Sequence, residues 1–314
     1  MNAILGVTAP VFLVIGLGYT CMRLGFFKGE AQKIFSLYVF YCAMPCYLFL
    51  AMSKVPRTMI ANVDYIAAFA ISMAVVAALG GSLARYFYKC DAASSILAMM
   101  GACYTNSAFI GIPIIVMAFG QPAPVVIITL FQVILVTTTI LTSIEIYQKH
   151  GLISLRTLRE FPKTVLLNPL IGGSLLGILF ALQEWTVPVT LERSFRLLGD
   201  AGIPTALFAL GLSLGEKRQA VPSSSRTLVY ILVVLKTMIH PAIAWTVGRY
   251  VFHLGEPWLG ALTIIAAMPT AMNNFIFSQR YGVFIAESSQ IVFLSSIVSL
   301  FTLSGLLWLF AVGH

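Results

Sequence analysis

Charge is what this sequence has least of. Asp, Glu, Lys and Arg make up 10% of its 314 residues, while the apolar set AVILMFWYC makes up 59%. Soluble domains carry about 25% charged and roughly 45–50% apolar residues. Because the apolar runs recur along the whole length, one soluble core cannot hide them. We therefore expect an all-α integral membrane protein and exclude soluble enzymes and DNA-binding modules.

Residues that do chemistry are also few. The five cysteines are scattered without a CxxC pair, so neither a disulfide framework nor a zinc site is indicated. No HExxH helix and no GxxxxGK[ST] loop is present, which argues against a zinc protease and against direct use of ATP. With only three Asp residues, an intramembrane aspartyl protease is a weak alternative. We expect no enzyme activity and no cofactor.

The apolar runs predict ten transmembrane helices of roughly 20 residues each. They lie near residues 3–23, 34–53, 64–85, 95–119, 123–146, 164–182, 196–214, 227–250, 257–279 and 287–311. The odd-numbered loops hold thirteen Lys and Arg residues and the even-numbered loops hold five. Because positive residues accumulate on the cytoplasmic side, both termini are predicted outside, in the periplasm of a plasma (inner) membrane protein. This bias also explains the net charge of +8 without a nucleic-acid partner.

An internal repeat divides the ten segments into five and five. MPCYLFLAMS in segment two aligns with IPTALFALGL in segment seven, so that Pro45 falls on Pro204, and at the same offset Gly18 falls on Gly177. The predicted domains are a first repeat at 1–148, a cytoplasmic linker at 149–163 and a second repeat at 164–314. Because five is odd, the second repeat must enter the membrane from the opposite side, as in many secondary transporters.

Segments four and nine carry helix breakers at corresponding places. Segment four contains the polar cluster Thr105–Asn106 and the breaker Gly111-Ile112-Pro113, and segment nine contains Pro269 followed by Asn273–Asn274. Proline removes a backbone donor, so both helices should unwind there and free backbone groups for a solute. Simple proline kinks with asparagines joining helices are the alternative. Pro45 and Pro204 are predicted as further helix breaks.

The motifs TNSAFIGIP, NPLIGG, LLGDAGIPTALFALGLSLG, LKTMIHP and AMPTAMNN, in this order, resemble the auxin efflux carrier family from about residue 5 to residue 310. The short linker is typical of the bacterial organic-acid branch, which includes malonate carriers. The resemblance implies two inverted five-helix repeats, as in sodium/proton antiporters and bile-acid symporters, with helices four and nine crossing in a transport domain. It also implies that the crossover residues bind substrate: Asn106, Gly111, Pro113, Pro269, Asn273 and Asn274.

Two charged residues lie inside predicted helices. Lys236 lies ten residues into segment eight, near the bilayer midplane, so it should face the protein interior. It either ties down carbonyls at a broken helix end or takes part in coupling or anion binding. Asp200, a few residues into segment seven, is a second candidate for coupling, with capping as the alternative. His240 could titrate, although a packed neutral imidazole is the simpler interpretation.

These observations predict a secondary active transporter of small organic anions, such as mono- or dicarboxylates, that works by alternating access at a midplane crossover. A channel or a sensor on the same scaffold is the alternative. The expected partners are a carboxylate and the lipid bilayer, with proton or sodium coupling and a homodimer as open options.

Overall fold

A computed structural model describes residues 2–28, 30–54, 62–148, 169–215 and 221–311. The predicted linker at 149–163 and the predicted start of the second repeat lie outside these residues. Within them the chain is helical, apart from loops and one isolated antiparallel bridge. The prediction of an all-α protein is confirmed.

The helices follow one another along the chain and several are joined through a single π-helical turn. The α-helices are α1 (Asn2–Arg23), α2 (Glu30–Tyr38), α3 (Met44–Met52), α4 (Val63–Ser82), α5 (Ala92–Cys103), α6 (Ile112–Phe119), α7 (Ala123–Phe131), α8 (Thr137–Gln148), α9 (Pro169–Leu182), α10 (Val189–Asp200), α11 (Gly202–Gly215), α12 (Ser223–Val234), α13 (His240–Tyr250), α14 (Trp258–Ala267), α15 (Asn273–Tyr281) and α16 (Ile285–Ala311). The π-turns are Val39–Ala43, Leu83–Phe87, Ser107–Gly111, Gln132–Val136 and Leu235–Ile239.

Five helical stretches of the described chain are long and apolar enough to cross a bilayer: Glu30–Met52, Val63–Phe87, Val189–Leu212, Ser223–Tyr250 and Ile285–Phe310. Shorter apolar helices are Leu13–Arg23, Ala92–Cys103, Ala123–Val136, Ile171–Leu182 and Trp258–Ala267. Each of the ten segments predicted from sequence overlaps one of these helices. The number of spans and their inversion stay predictions.

Three prolines follow π-turns. Pro45, Pro113 and Pro241 each occupy the second residue of an α-helix that begins directly after a π-turn. Proline lacks an N–H and collides with the carbonyl four residues earlier, and one extra residue in the preceding turn relieves both problems. Pro45 therefore distorts a continuous helical stretch, whereas a break was predicted there.

The chain forms two compact units, and each takes segments from both predicted repeats. The first unit comprises Met1–Asn62, Ala108–Leu130 and Phe161–Lys217, so far as these residues are described. The second unit comprises Val63–Ser107, Phe131–Glu160 and Arg218–His314, with the same restriction. Sequential repeats and compact units are thus different divisions of the chain.

The first unit is held together by close helix contacts at glycines. A Cβ atom at Gly18 in α1 would collide with the carbonyl of Phe208 in α11, and one at Gly177 in α9 would collide with the carbonyl of Phe49 in α3. Only glycine allows two helices to approach this closely. The two contacts are reciprocal: each predicted repeat supplies the glycine of one contact and the phenylalanine of the other. The same 159-residue offset maps Gly18 onto Gly177 and Phe49 onto Phe208.

The second unit has a polar interior. Among the described residues, every buried polar or charged residue except Thr129 and Ser174 belongs to it. Buried polar groups need hydrogen-bond partners, and in a membrane protein they mark functional interiors more often than packing. The polar interior makes the second unit the place where a functional site is expected.

Candidate functional site

Two unwound segments pair at the centre of the second unit. Helix α5 ends at Cys103 and α14 ends at Ala267, and the residues that follow form an antiparallel bridge between Thr105 and Thr270. The Asn106 N–H donates to the Pro269 carbonyl at 2.9 Å, and the Ala271 N–H donates to the Tyr104 carbonyl at 3.2 Å. Backbone groups that two broken helices would leave unpaired thus satisfy each other, as a lipid environment requires. We call Tyr104–Asn106 and Met268–Met272 the crossover.

The bridge corrects one detail of the sequence prediction. An antiparallel bridge has a local two-fold axis, which relates Thr105 to Thr270 and therefore Pro269 to Tyr104. Pro113 and Pro269 were predicted as corresponding breakers of segments four and nine, but Pro113 lies nine residues after Tyr104, in the first turn of α6. Gly111 closes the π-turn before it. Segment four unwinds at its Tyr-Thr-Asn cluster, because Pro113 is accommodated by that π-turn instead.

Gln132 holds the first unwound segment, and sequence reasoning missed it. Its Oε1 accepts from the Thr105 N–H at 3.0 Å and from the Thr105 hydroxyl at 2.9 Å. Its Nε2 donates to the Thr105 carbonyl at 3.2 Å and to the Ser107 hydroxyl oxygen at 3.1 Å. The side-chain amide thus pairs with Thr105 as a neighbouring strand would. A single glutamine in the apolar run PVVIITLFQVILV was the available signal.

Thr270 has the corresponding contacts on the second segment. Its N–H donates to the Ser295 hydroxyl oxygen at 3.1 Å, where Thr105 uses Gln132. Its own hydroxyl donates to the Gly101 carbonyl at 2.7 Å. That carbonyl belongs to the last turn of α5, where carbonyls lack helical partners, so Thr270 caps the helix that precedes the opposite segment.

Lys236 is fully buried and contacts the end of the other broken helix. Its Nζ donates to the Ala266 carbonyl in the last turn of α14 at 2.6 Å and lies 3.2 Å from His240 Nδ1. The expectation that this lysine faces the interior agrees with its position. The carbonyl contact is the tie to a broken helix end that was predicted as one alternative.

The three asparagines of the crossover have different surroundings. Asn106 is 7% exposed, and its side-chain amide has no hydrogen-bond partner in the part of the chain that is described. Asn273 is the first residue of α15, after the segment that pairs with Tyr104, and the Tyr104 hydroxyl contacts Thr137 at 2.9 Å. Asn274 is fully buried and donates to Ser288 at 3.4 Å. Asn106 therefore presents the amide most available to a solute.

Asp200 and Pro204, like Pro45, belong to the first unit, whereas the crossover belongs to the second. Asp200 is exposed and is the last residue of α10, because the helix begins at Val189 and not near residue 196 as predicted. Pro204 lies in the first turn of α11, after the interruption at Ala201. Lys236 belongs to the second unit, so no contact within a single unit joins it to Asp200 or Pro204.

The described residues contain neither a metal cluster nor a hydrolase elbow. They contain no group of three His, Cys, Asp or Glu side chains that could hold a metal ion. The string GLSLG at 211–215 has the spacing of a hydrolase nucleophile elbow, but that elbow needs a strand-to-helix turn. Here the string lies inside α11, and both Gly211 and Gly215 pack against α1.

Similarity to known sequences decides the family. The sequence profile described as "Membrane transport protein" matches residues 3–307, which is nearly the whole chain. The chain belongs to this family of membrane transport proteins. Its relatives include the auxin efflux carriers, so the resemblance noted from the motifs is confirmed.

Three proteins that resemble the chain come from a bacterium, a plant and an archaeon. A Rhizobium meliloti protein named "Putative malonate transporter" is 25% identical over 320 residues, covering 100% of this chain and 98% of that protein. "Auxin efflux carrier component 5" of Arabidopsis thaliana is 26% identical, covering 93% and 92%. An uncharacterized transporter of Methanocaldococcus jannaschii is 24% identical, covering 95% of each chain. The family assignment and the crossover together point to transport across a membrane.

Proposed function

We propose that this protein is a secondary active transporter of small organic anions, mono- or dicarboxylates, with malonate as the first candidate. The observation that carries the proposal is the crossover, in which two broken helices meet through backbone hydrogen bonds between Thr105 and Thr270. Broken helices at one point are the usual construction of a transporter's substrate site. The name of the Rhizobium relative supports malonate.

The crossover is suited to a carboxylate. Helix α15 begins at Asn273, directly after the second unwound segment, and a helix N-terminus carries partial positive charge. The Asn106 amide has donors available on the adjacent segment. We propose that Thr105, Asn106, Asn273 and Asn274 contact the anion, while Gly111, Pro113 and Pro269 shape the backbone around them.

We propose alternating access as the mechanism, with the crossover opening to each side of the membrane in turn. It requires ten spans in two inverted repeats, 1–148 and 164–314, which the reciprocal contacts of Gly18 with Phe208 and of Gly177 with Phe49 support. The distribution of Lys and Arg favours periplasmic termini in the plasma membrane. A homodimer is compatible with this arrangement.

Ligand-dependent thermal stability tests the substrate class. Purified protein is heated with malonate, other mono- and dicarboxylates, and neutral or cationic solutes of equal size. A ligand at about 100 times its Kd stabilises the folded state by about 2.7 kcal/mol, so binding anions should raise the melting temperature. Stabilisation by cations or neutral solutes alone would contradict the proposal.

The variant Asn273→Ala tests the crossover as the transport site. We expect it to remain folded in the membrane and to lose uptake in proteoliposomes, because the helix end facing the substrate loses its side-chain amide. Asn62→Ala, at the residue before α4, is the matched control and should transport normally. Uptake near that of the unmodified protein in Asn273→Ala would contradict the site assignment.

The kinetics of uptake separate a carrier from a channel or a sensor on the same scaffold. A carrier saturates with substrate and is stimulated by substrate on the opposite side. Rapid flux without saturation would favour a pore, and binding without flux would favour a sensor.

A further inference from the structure

The contacts of Lys236 are more than a helix cap requires. The two-fold axis of the bridge relates the Gly101 carbonyl to the Ala266 carbonyl, so the two broken helices end in equivalent acceptors. A neutral hydroxyl of Thr270 caps the first, whereas the Lys236 amine caps the second. A neutral side chain is thus sufficient for capping. A charged residue in the middle of a membrane helix is costly, which calls for a second role.

Lys236 has no carboxylate partner in the described part of the chain. The titratable groups that face it there are Cys103, at the end of α5, and His240, one turn along its own helix. Helices α4, α12, α14 and α16 also pack around this π-turn and present no charged group to it. Among the described residues, the Ala266 carbonyl at the end of α14 accepts from Lys236, and the negative end of that helix dipole favours a cation.

His240 gives this lysine a route for its proton. Nδ1 lies 3.2 Å from Lys236 Nζ, and Nε2 is buried without a hydrogen-bond partner among the described residues. When Nζ is an ammonium, it donates to Nδ1 and the ring carries its proton on Nε2. When the Nζ proton passes to Nδ1, the Nε2 proton can leave, and Nδ1–H then donates to the neutral amine.

Both protonation states keep the same hydrogen bonds. An amine still has N–H groups to donate to Ala266, and the contact between Nζ and Nδ1 only reverses its direction. The two states differ by one proton and one positive charge beside the crossover. Because Nε2 is buried here, exchange with water belongs to another conformation of the transport cycle.

We propose that Lys236 and His240 form the proton-binding site of this transporter, with Nε2 of His240 as the point where the proton enters and leaves. The proposal rests on the proposed function, since it names the coupling ion of the same crossover. A bound carboxylate favours the ammonium form of Lys236. By reciprocity the ammonium form favours the carboxylate, so anion and proton bind together and move in the same direction.

Proton uptake on anion binding tests the proposal. Malonate is titrated into purified protein at about pH 8, where both its carboxyls are ionised, in two buffers with different ionisation enthalpies. The difference between the two binding enthalpies should correspond to uptake of up to about one proton per anion. Above the pH range in which the site is protonated, the affinity for malonate should fall by up to about tenfold per pH unit.

Two lysine variants distinguish coupling from capping. Lys236→Arg keeps a positive charge that does not titrate, so we expect binding without proton uptake and with an affinity independent of pH. Lys236→Met removes the charge, so we expect weaker binding without uptake. Lys54→Met, at an exposed lysine of the first unit, is the matched control and should behave as the unmodified protein. Binding by the unmodified protein without proton uptake, or uptake that persists in Lys236→Arg, would overturn the proposal.

A measurement without ligand covers the case in which malonate does not bind. The lysine Cε resonance that disappears in Lys236→Met should shift with pH between about pH 6 and pH 9 in the unmodified protein, as expected for a lysine that exchanges its proton. In His240→Asn, which keeps a hydrogen-bonding group near Nδ1 but has no second nitrogen, exchange should slow. A resonance that stays in one form over that range would overturn the proton site, whereas absence of malonate binding alone would contradict only the proposed substrate.

Discussion

Replacing Gln132 with methionine should destabilise the protein far more than a single surface contact would. Methionine has nearly the same length and packs in apolar surroundings, but it cannot replace the four hydrogen bonds to Thr105 and Ser107. The Thr105 N–H and carbonyl would both remain buried without a partner. At about 1–3 kcal/mol for each, the cost is roughly 2 to 6 kcal/mol, a large share of the roughly 5–15 kcal/mol that stabilises a typical protein.

The assay is equilibrium unfolding of purified Gln132→Met in mixed micelles, followed by circular dichroism. The matched control is Gln32→Met, because Gln32 is only half-buried and its side chain makes one hydrogen bond among the described residues, to Ser36 at 3.1 Å. We expect a change within about 0.5 kcal/mol for the control. If Gln132→Met unfolds at the same denaturant fraction as the control, the glutamine does not hold the unwound segment, and the description of the crossover must be revised.

Two further predictions concern helix contacts and caps. Gly18→Ala should destabilise the first unit by about 1–3 kcal/mol, because the added methyl group meets the Phe208 carbonyl. Gly16→Ala, which has open space around it, should be neutral or stabilising by up to about 1 kcal/mol. Equal melting temperatures of the two variants would refute the close contact. Thr270→Val should lower the free energy of unfolding by about 1–2 kcal/mol, because it removes a buried helix cap. Thr246→Val, at an exposed threonine, should lower it less. The same thermal measurement checks this order, and the reverse order would show that the cap is unimportant.

The positions of the helices could be predicted from hydrophobicity, because a bilayer imposes one length on every crossing segment. All ten predicted segments overlap apolar helices, and the unwinding near Thr105 and Pro269 follows from polar residues and proline in apolar runs. Lys236 was expected to face the interior because a central charge cannot face lipid. These features depend on each residue's own solvation.

Features that depend on partners could not be predicted in the same way. The two-fold axis of the bridge relates Pro269 to Tyr104, and a match between two prolines carries no information on that axis. The role of Gln132 depends on which helix face meets Thr105. The helices were predicted to break at Pro45 and Pro113. A π-turn precedes each proline instead, because its one inserted residue removes the clash from which unwinding was predicted.

Counterflow of labelled malonate is the most direct measurement of whether the crossover carries organic anions by alternating access. Proteoliposomes loaded with unlabelled malonate are diluted into labelled malonate, and the label inside is followed with time. A carrier accumulates label transiently above its equilibrium level, and we expect this overshoot in the unmodified protein and in Asn62→Ala but not in Asn273→Ala. Label that rises only to equilibrium in the unmodified protein, or an overshoot that persists in Asn273→Ala, would contradict a carrier site at the crossover.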